Sequence, residues 1–125
     1  MQLHDAHLAT RMRGILEFKH KRLGGGTTMY AFIVNPNSRS ASALRSGEQL
    51  ELILKERHID YQIYFTRHPG HGTKLAAQIC DTDADTLVVL GGDGTIGEVV
   101  DGIRDLTKMT LAYIPIGSGN DLPDL

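Results

Sequence analysis

Thr86-Leu87-Val88-Val89-Leu90-Gly91-Gly92-Asp93-Gly94-Thr95 is a continuous apolar run that breaks into glycines, an aspartate and a threonine, with a helix-like stretch after it. Five apolar or β-branched residues bounded by glycine have the length and composition of a buried strand. Glycines at the end of such a strand remove the side chains that would keep a ligand from the backbone. Thr95 can cap the following helix and offers a hydroxyl. The start of a helix carries unpaired N–H groups and about half a positive charge, so an anion is favoured there. Strand, glycine turn and helix start together describe a place where a backbone meets a phosphate.

Outward from this stretch, strands and helices alternate. Tyr30 to Asn35 is an apolar strand ending at Asn-Pro, and Ala41 to Arg57 has helical spacing with Leu44, Leu50, Ile53 and Leu54 on one face. Tyr61 to Phe65 reads as a second strand, Gly72 to Cys80 as a helix carrying Leu75, Ala76 and Ile79 inward, and Thr86 to Leu90 as the third strand. Ile96 to Ile103 is the third helix of this series, and Leu111 to Ile114, closed by Pro115, the fourth strand. A helix between each pair of strands is what parallel crossovers require. The pattern predicts a three-layer α/β/α unit with a mainly parallel sheet.

With 125 residues, of which 41% are hydrophobic, the chain can hold one domain with a core. No apolar run approaches the roughly 20 residues of a membrane-spanning helix. The single cysteine, Cys80, excludes an internal disulfide and falls where a buried, inert thiol is expected. A net charge of -2 gives nucleic-acid binding no support. That charge is unevenly spread, because residues 1–28 hold five Lys or Arg against two acids. The same segment ends in Gly24-Gly25-Gly26-Thr27-Thr28, a flexible linker composition. Residues 1–28 are therefore expected to be an extension outside the core, and residues 29–125 the folded domain. Ile15, Leu16 and Phe18 interleave with Arg and Lys, which also allows a basic helix lying on a membrane surface.

Parallel sheets bind ligands beyond the carboxyl ends of their strands. Four polar loops fall at that edge. They are Asn35-Pro36-Asn37-Ser38-Arg39-Ser40, Thr66 with Arg67 to Gly72, the glycine pentapeptide Gly91 to Thr95, and Pro115 to Leu122. Asn35-Pro36-Asn37-Ser38, then Thr66 with Gly70-His71, then Gly-Gly-Asp-Gly-Thr-x-x-Glu-Val-Val-x-Gly at Gly91 to Gly102, then Pro-x-Gly-Ser-Gly-Asn-Asp-Leu at Pro115 to Leu122, occur in that order. In this the chain resembles the diacylglycerol kinase catalytic-domain family of lipid kinases, from about Met29 to Leu122.

The resemblance implies an ATP-dependent lipid kinase that transfers the γ-phosphoryl group of ATP to a lipid hydroxyl. Its cofactors would be ATP and Mg2+, its acceptor a lipid at the membrane surface, and its location cytoplasmic with peripheral membrane attachment. Asn35, Pro36, Asn37, Ser38 and Arg39 would line the adenosine and phosphate side, and Thr66 would reach the nucleotide. Gly92, Asp93, Gly94, Thr95, Ile96, Gly97 and Glu98 would wrap the phosphates, and Ser118 would contact ATP. Asp93 is the candidate catalytic carboxylate, although a carboxylate among glycines can equally lock the turn or organise metal-bound water. Glu98 can equally serve as a structural carboxylate of its helix. The metal ligands stay unassigned.

Family members also carry a second, β-rich domain with the general base and much of the lipid site, so the chain is expected to be only the N-terminal, nucleotide-binding part and to lack full activity. Two other readings remain open at this point, an NAD kinase-like enzyme sharing the pentapeptide and a non-catalytic nucleotide-binding fragment. His68 and His71 flank the second loop without a metal-ligand spacing, and His71 is expected to cap or pack a helix start. Asp81-Thr82-Asp83-Ala84-Asp85 lacks the glycine and distal glutamate of a calcium loop and reads as a solvated turn.

Overall fold

The computed structural model describes residues 10–17, 29–36 and 41–116. A helix over residues 10–17 (α1) precedes strand β1 (Tyr30–Val34). Then come α2 (Ala41–Glu56), β2 (Tyr61–Phe65), α3 (His71–Cys80), β3 (Thr86–Gly91), α4 (Asp93–Gly102) and β4 (Thr110–Pro115). The four strands form one parallel sheet in the order β2-β1-β3-β4. The fold is the α/β class anticipated from the alternation of elements.

Every residue of β1 and β3 is buried, as the apolar runs Tyr30–Val34 and Thr86–Leu90 require of central parallel strands. The period of two then sends alternate side chains to opposite faces. Tyr30, Phe32, Val34, Val88, Leu90 and Ile114 pack on one face with Leu50 and Leu54 of α2. Ala31, Ile33, Leu87 and Val89 pack on the other with Leu75, Ala76 and Ile79 of α3 and Val99 of α4. Removing each such Leu, Ile, Val or Phe side chain from water contributes about 1.5–3 kcal/mol, and this burial holds the three layers together. α2 stops where His58 takes a left-handed φ of 56°, and the Ile59 N–H closes back on the Leu54 carbonyl.

Two expectations are corrected. Residues 10–17 are not outside the core, because Met12 and Leu16 are buried in the same cluster as Phe32, Leu54 and Leu90, with Ile15 packed against it. Their i, i+4 spacing puts one apolar edge of α1 on the face that α2 also covers. The Arg-rich composition described only the exposed side, which includes Arg11 and Arg13. A membrane-surface helix would need these same apolar side chains, which are already used inside. Phe18 and residues 18–28 lie outside the described residues.

The second correction concerns α4, which begins at Asp93 and not at Ile96. Gly92 is its N-cap in extended backbone (φ -103°, ψ -170°), and the N–H groups of Thr95 and Ile96 both close on the Gly92 carbonyl. Thr95 is thus inside the first turn and caps nothing. Asp, Gly and Thr are poor helix formers, so sequence preference hid a turn that the tertiary setting imposes. Cys80 is free and half-buried, less enclosed than its apolar neighbours suggested. Among the described residues no helix is long and apolar enough to cross a membrane.

Candidate functional site

The register places the strand ends level. Val34 lies opposite Phe65 on one side and Leu90 on the other, and Gly91 lies opposite Pro115. From β1 the chain moves to one side of the sheet for β2 and to the other for β3, so the connections diverge between β1 and β3. Such a divergence at the carboxyl edge is where open parallel sheets take their ligands. Asn35 stands on the β1 side and Gly91 to Thr95 on the β3 side. The ladder continues one step past the strands, with Asn35 N–H donating to Leu90 O (2.9 Å), Thr66 N–H to Val34 O (3.0 Å) and Ile116 N–H to Gly91 O (3.0 Å).

Three of the expected site residues form one side-chain relay. The Thr66 hydroxyl donates to Asn35 Oδ1 (3.1 Å), and Asn35 Nδ2 donates to the Thr95 hydroxyl (2.9 Å). Asn35 can do this because its amide carries an acceptor oxygen and a donor NH2 on separate atoms, whereas an ionised carboxylate only accepts. The relay fixes the ends of β1 and β2 against the first turn of α4. Thr95 is buried, so its hydroxyl needs such a partner.

The glycines around this relay divide into two kinds. A Cβ on Gly91 would lie 2.7 Å from Thr95 Oγ1 and 2.8 Å from its Cβ, so Gly91 is glycine because Thr95 occupies the space. Gly92, Gly94 and Gly97 are different: a Cβ on any of them would meet nothing within 4 Å, and none has a left-handed φ. Neither packing nor backbone conformation within the described chain demands glycine at these three positions. Their open sides lie along the first turns of α4, where the N–H groups of Asp93 and Gly94 precede the first helical bond. Such a surface can take an anion onto its backbone.

Asp93 is exposed at the first residue of α4, not buried among amides. Beside it, the Tyr113 hydroxyl donates to Gly91 O (3.2 Å). Burial, and then the nearby Asp93 carboxylate, push the Tyr113 phenol above its ordinary value of 10.0. Tyr113 supports the pentapeptide through the Gly91 carbonyl, and sequence reasoning missed it. A tyrosine within an ordinary strand carries no signal. Among the described residues no group of three or more His, Cys, Asp or Glu could hold a metal ion. Pro36 is half-buried at the end of β1, and Ile96 is half-buried on α4. Asn37, Ser38, Arg39 and Ser118 lie outside the described residues.

Glu98 faces the second loop. Its Oε2 accepts from Gly70 N–H (2.9 Å) and its Oε1 from Gly72 N–H (3.2 Å), at the start of α3. In the same loop His71 Nδ1 accepts from Arg67 N–H (2.9 Å), and the His71 and His68 rings stack with centroids 4.6 Å apart. Burial, followed by His68, Arg67 and Lys74, holds the His71 imidazole below the ordinary 6.5, against the opposing pull of Glu98. An accepting Nδ1 must be unprotonated, which agrees in direction. A folded-state value below the unfolded one means this contribution to stability is present above about pH 6.5 and is lost as pH falls through the folded value. The His71 ring protons, followed by NMR, are therefore expected to titrate with a midpoint below 6.5. A midpoint at or above 6.5 would contradict the neutral, accepting ring.

Known proteins resemble this chain in sequence and fold. The family model described as diacylglycerol kinase catalytic domain matches residues 29–124. A Bacillus subtilis protein provisionally named lipid kinase YtlR is 37% identical over 93 residues, covering 72% of this chain and 30% of that protein. A diacylglycerol kinase of Staphylococcus saprophyticus is 32% identical over 90 residues, covering 71% and 30%. A crystal structure from Bacillus anthracis, provisionally named a diacylglycerol kinase, superposes with a TM-score of 0.58 at 26% identity, covering 78% of this chain and 33% of that one. The chain thus spans about a third of the length of the relatives it matches.

Proposed function

This chain belongs to the diacylglycerol kinase catalytic-domain family, and from that premise we propose that its α/β unit, α1 included, is the ATP-binding domain of a lipid kinase that transfers the γ-phosphoryl group to a lipid hydroxyl. The observation that carries this reading is the row Gly92, Gly94 and Gly97, open on the sides where nothing in the described chain requires glycine. A polyphosphate laid there meets the N–H groups and positive end of α4, and at these three glycines it meets backbone and no side chain. Asn35 and Thr66 hold Thr95 and keep that turn in one geometry. Asn37, Ser38, Arg39 and Ser118 complete the nucleotide contacts by resemblance to the family.

Mg2+ would neutralise phosphate charge during transfer, as it does in phosphotransferases generally. With no cluster of metal-ligating side chains among the described residues, it would be carried mainly by the phosphates and water. The exposed Asp93 carboxylate would then order that water at the helix start, a positioning role in preference to that of general base. The base and the acceptor wall come, on this reading, from the part of the relatives' length that this chain does not span. The lipid acceptor implies work at the cytoplasmic surface of a membrane, reached peripherally.

Phosphoryl transfer depends on positioning both reactants and on stabilising developing charge. On this reading the 125 residues supply the first reactant's site. The 125-residue chain, incubated with Mg-ATP labelled in the γ-phosphate and diacylglycerol in mixed micelles, is therefore expected to produce no labelled lipid above the protein-free blank. Sustained turnover by the pure chain would contradict the division of labour proposed here.

A further inference from the structure

Gly70, the N-cap of α3, has a left-handed φ of 86°, and no side chain of its own segment caps the helix. The cap comes from another helix. Both oxygens of Glu98 are engaged by the N–H groups of Gly70 and Gly72, and the Thr73 hydroxyl donates to the Glu98 carbonyl (2.8 Å). The fit is close, since a Cβ on Gly72 would lie 3.0 Å from Glu98 Oε1 and 3.3 Å from Glu98 Cβ. A carboxylate at a helix N-terminus is also favoured by the helix dipole.

Glu98 lies one turn beyond Thr95 on α4, so the two share a helical face. Thr95 reaches the near end of the second loop through Asn35 and Thr66. Glu98 reaches its far end at Gly70 and Gly72. The connections close a ring from Thr95 through Asn35, Thr66, the loop to Gly72, Glu98 and back along α4. We propose that Glu98 is a positioning residue that braces the Thr66–Gly72 loop against the phosphate-facing helix, and not a phosphate contact. The proposal rests on the nucleotide-site reading for its effect on ATP, but the brace itself is testable without nucleotide.

Removing the brace and weakening it have distinct expected results. Glu98→Ala loses both acceptors, whereas Glu98→Gln keeps one oxygen and turns an NH2 toward the other amide. Amide exchange at Gly70 and Gly72, measured by NMR, should accelerate about tenfold or more in Glu98→Ala and by less in Glu98→Gln. Protection in β1 and β3 should persist, which shows that the variants are folded. The Asn35 side-chain NH2 resonances should shift in the same order, because the near end of the loop is no longer held. The dissociation constant for Mg-ATP should rise about tenfold in Glu98→Ala, with partial rescue in Glu98→Gln.

Unchanged exchange at Gly70 and Gly72 in Glu98→Ala would overturn the brace. Tighter ATP binding in the neutral variants would overturn it too, because it would place the carboxylate against the phosphates. If the parent chain binds no ATP, the nucleotide reading fails, and the exchange and Asn35 measurements still decide the brace.

Discussion

Gly102→Ala is expected to lower the stability of the chain by about 2 kcal/mol or more, in spite of placing a better helix former at the end of α4. Two effects compete. Alanine in place of helical glycine favours the helix by up to about 1 kcal/mol. Against this, a Cβ at residue 102 would enter the contact radius of the Thr73 carbonyl oxygen and lie 2.9 Å from Ala76 Cβ. Thr73 contributes backbone and Ala76 has no rotamer to change, so neither can swing aside. α3 and α4 would have to separate, disturbing the cluster of Ala76, Ile79, Val99 and Ile103. Overpacking of this kind costs about 1–3 kcal/mol and more where backbone must move, so the clash wins. Urea unfolding should show a lower midpoint with little change in slope. An unchanged or higher midpoint would mean that the two helices lie further apart than described.

Most of the fold was legible because its signals were local and redundant. The apolar runs at Tyr30 and Thr86 marked the central strands, and the intervening periodic stretches marked helices. What stayed hidden depended on distant partners. Met12 and Leu16 stand in a segment whose basic residues and glycine-rich end read as a separate extension, and only the sheet face they cover makes them core residues. The first turn of α4 reads as loop because Asp93, Gly94 and Thr95 are weak helix formers.

The site was legible in its residue types and much less so in its connections. Asn35, Thr66 and Thr95 each stand in a polar loop of the sequence, yet nothing in sequence says that Asn35 joins the other two. Glu98 carried a motif position without direction, and its bonds to Gly70 and Gly72 depend on how α3 and α4 pack. Gly91 and Gly92 are neighbours of one type, but Thr95 crowds the first and nothing crowds the second.

That last difference gives the second large effect. Gly92→Asp should leave the fold intact and lower affinity for Mg-ATP by roughly a hundredfold or more. Gly92 has extended backbone that any residue adopts, and a Cβ there meets nothing within 4 Å. Aspartate is also a favoured N-cap, so its carboxylate can accept from the first N–H groups of α4 and hold stability level or raise it. Those are the same donors that a phosphate would use. The variant fills the open side of the loop, occupies its donors and sets one negative charge against another.

Calorimetric titration of Mg-ATP into the parent chain and into Gly92→Asp, each first shown to unfold cooperatively, tests the nucleotide site most directly. Binding by the parent that disappears in an equally stable variant is the expected result. Equal binding by both proteins, or none by a folded parent, would contradict a phosphate site built on Gly92 and the start of α4.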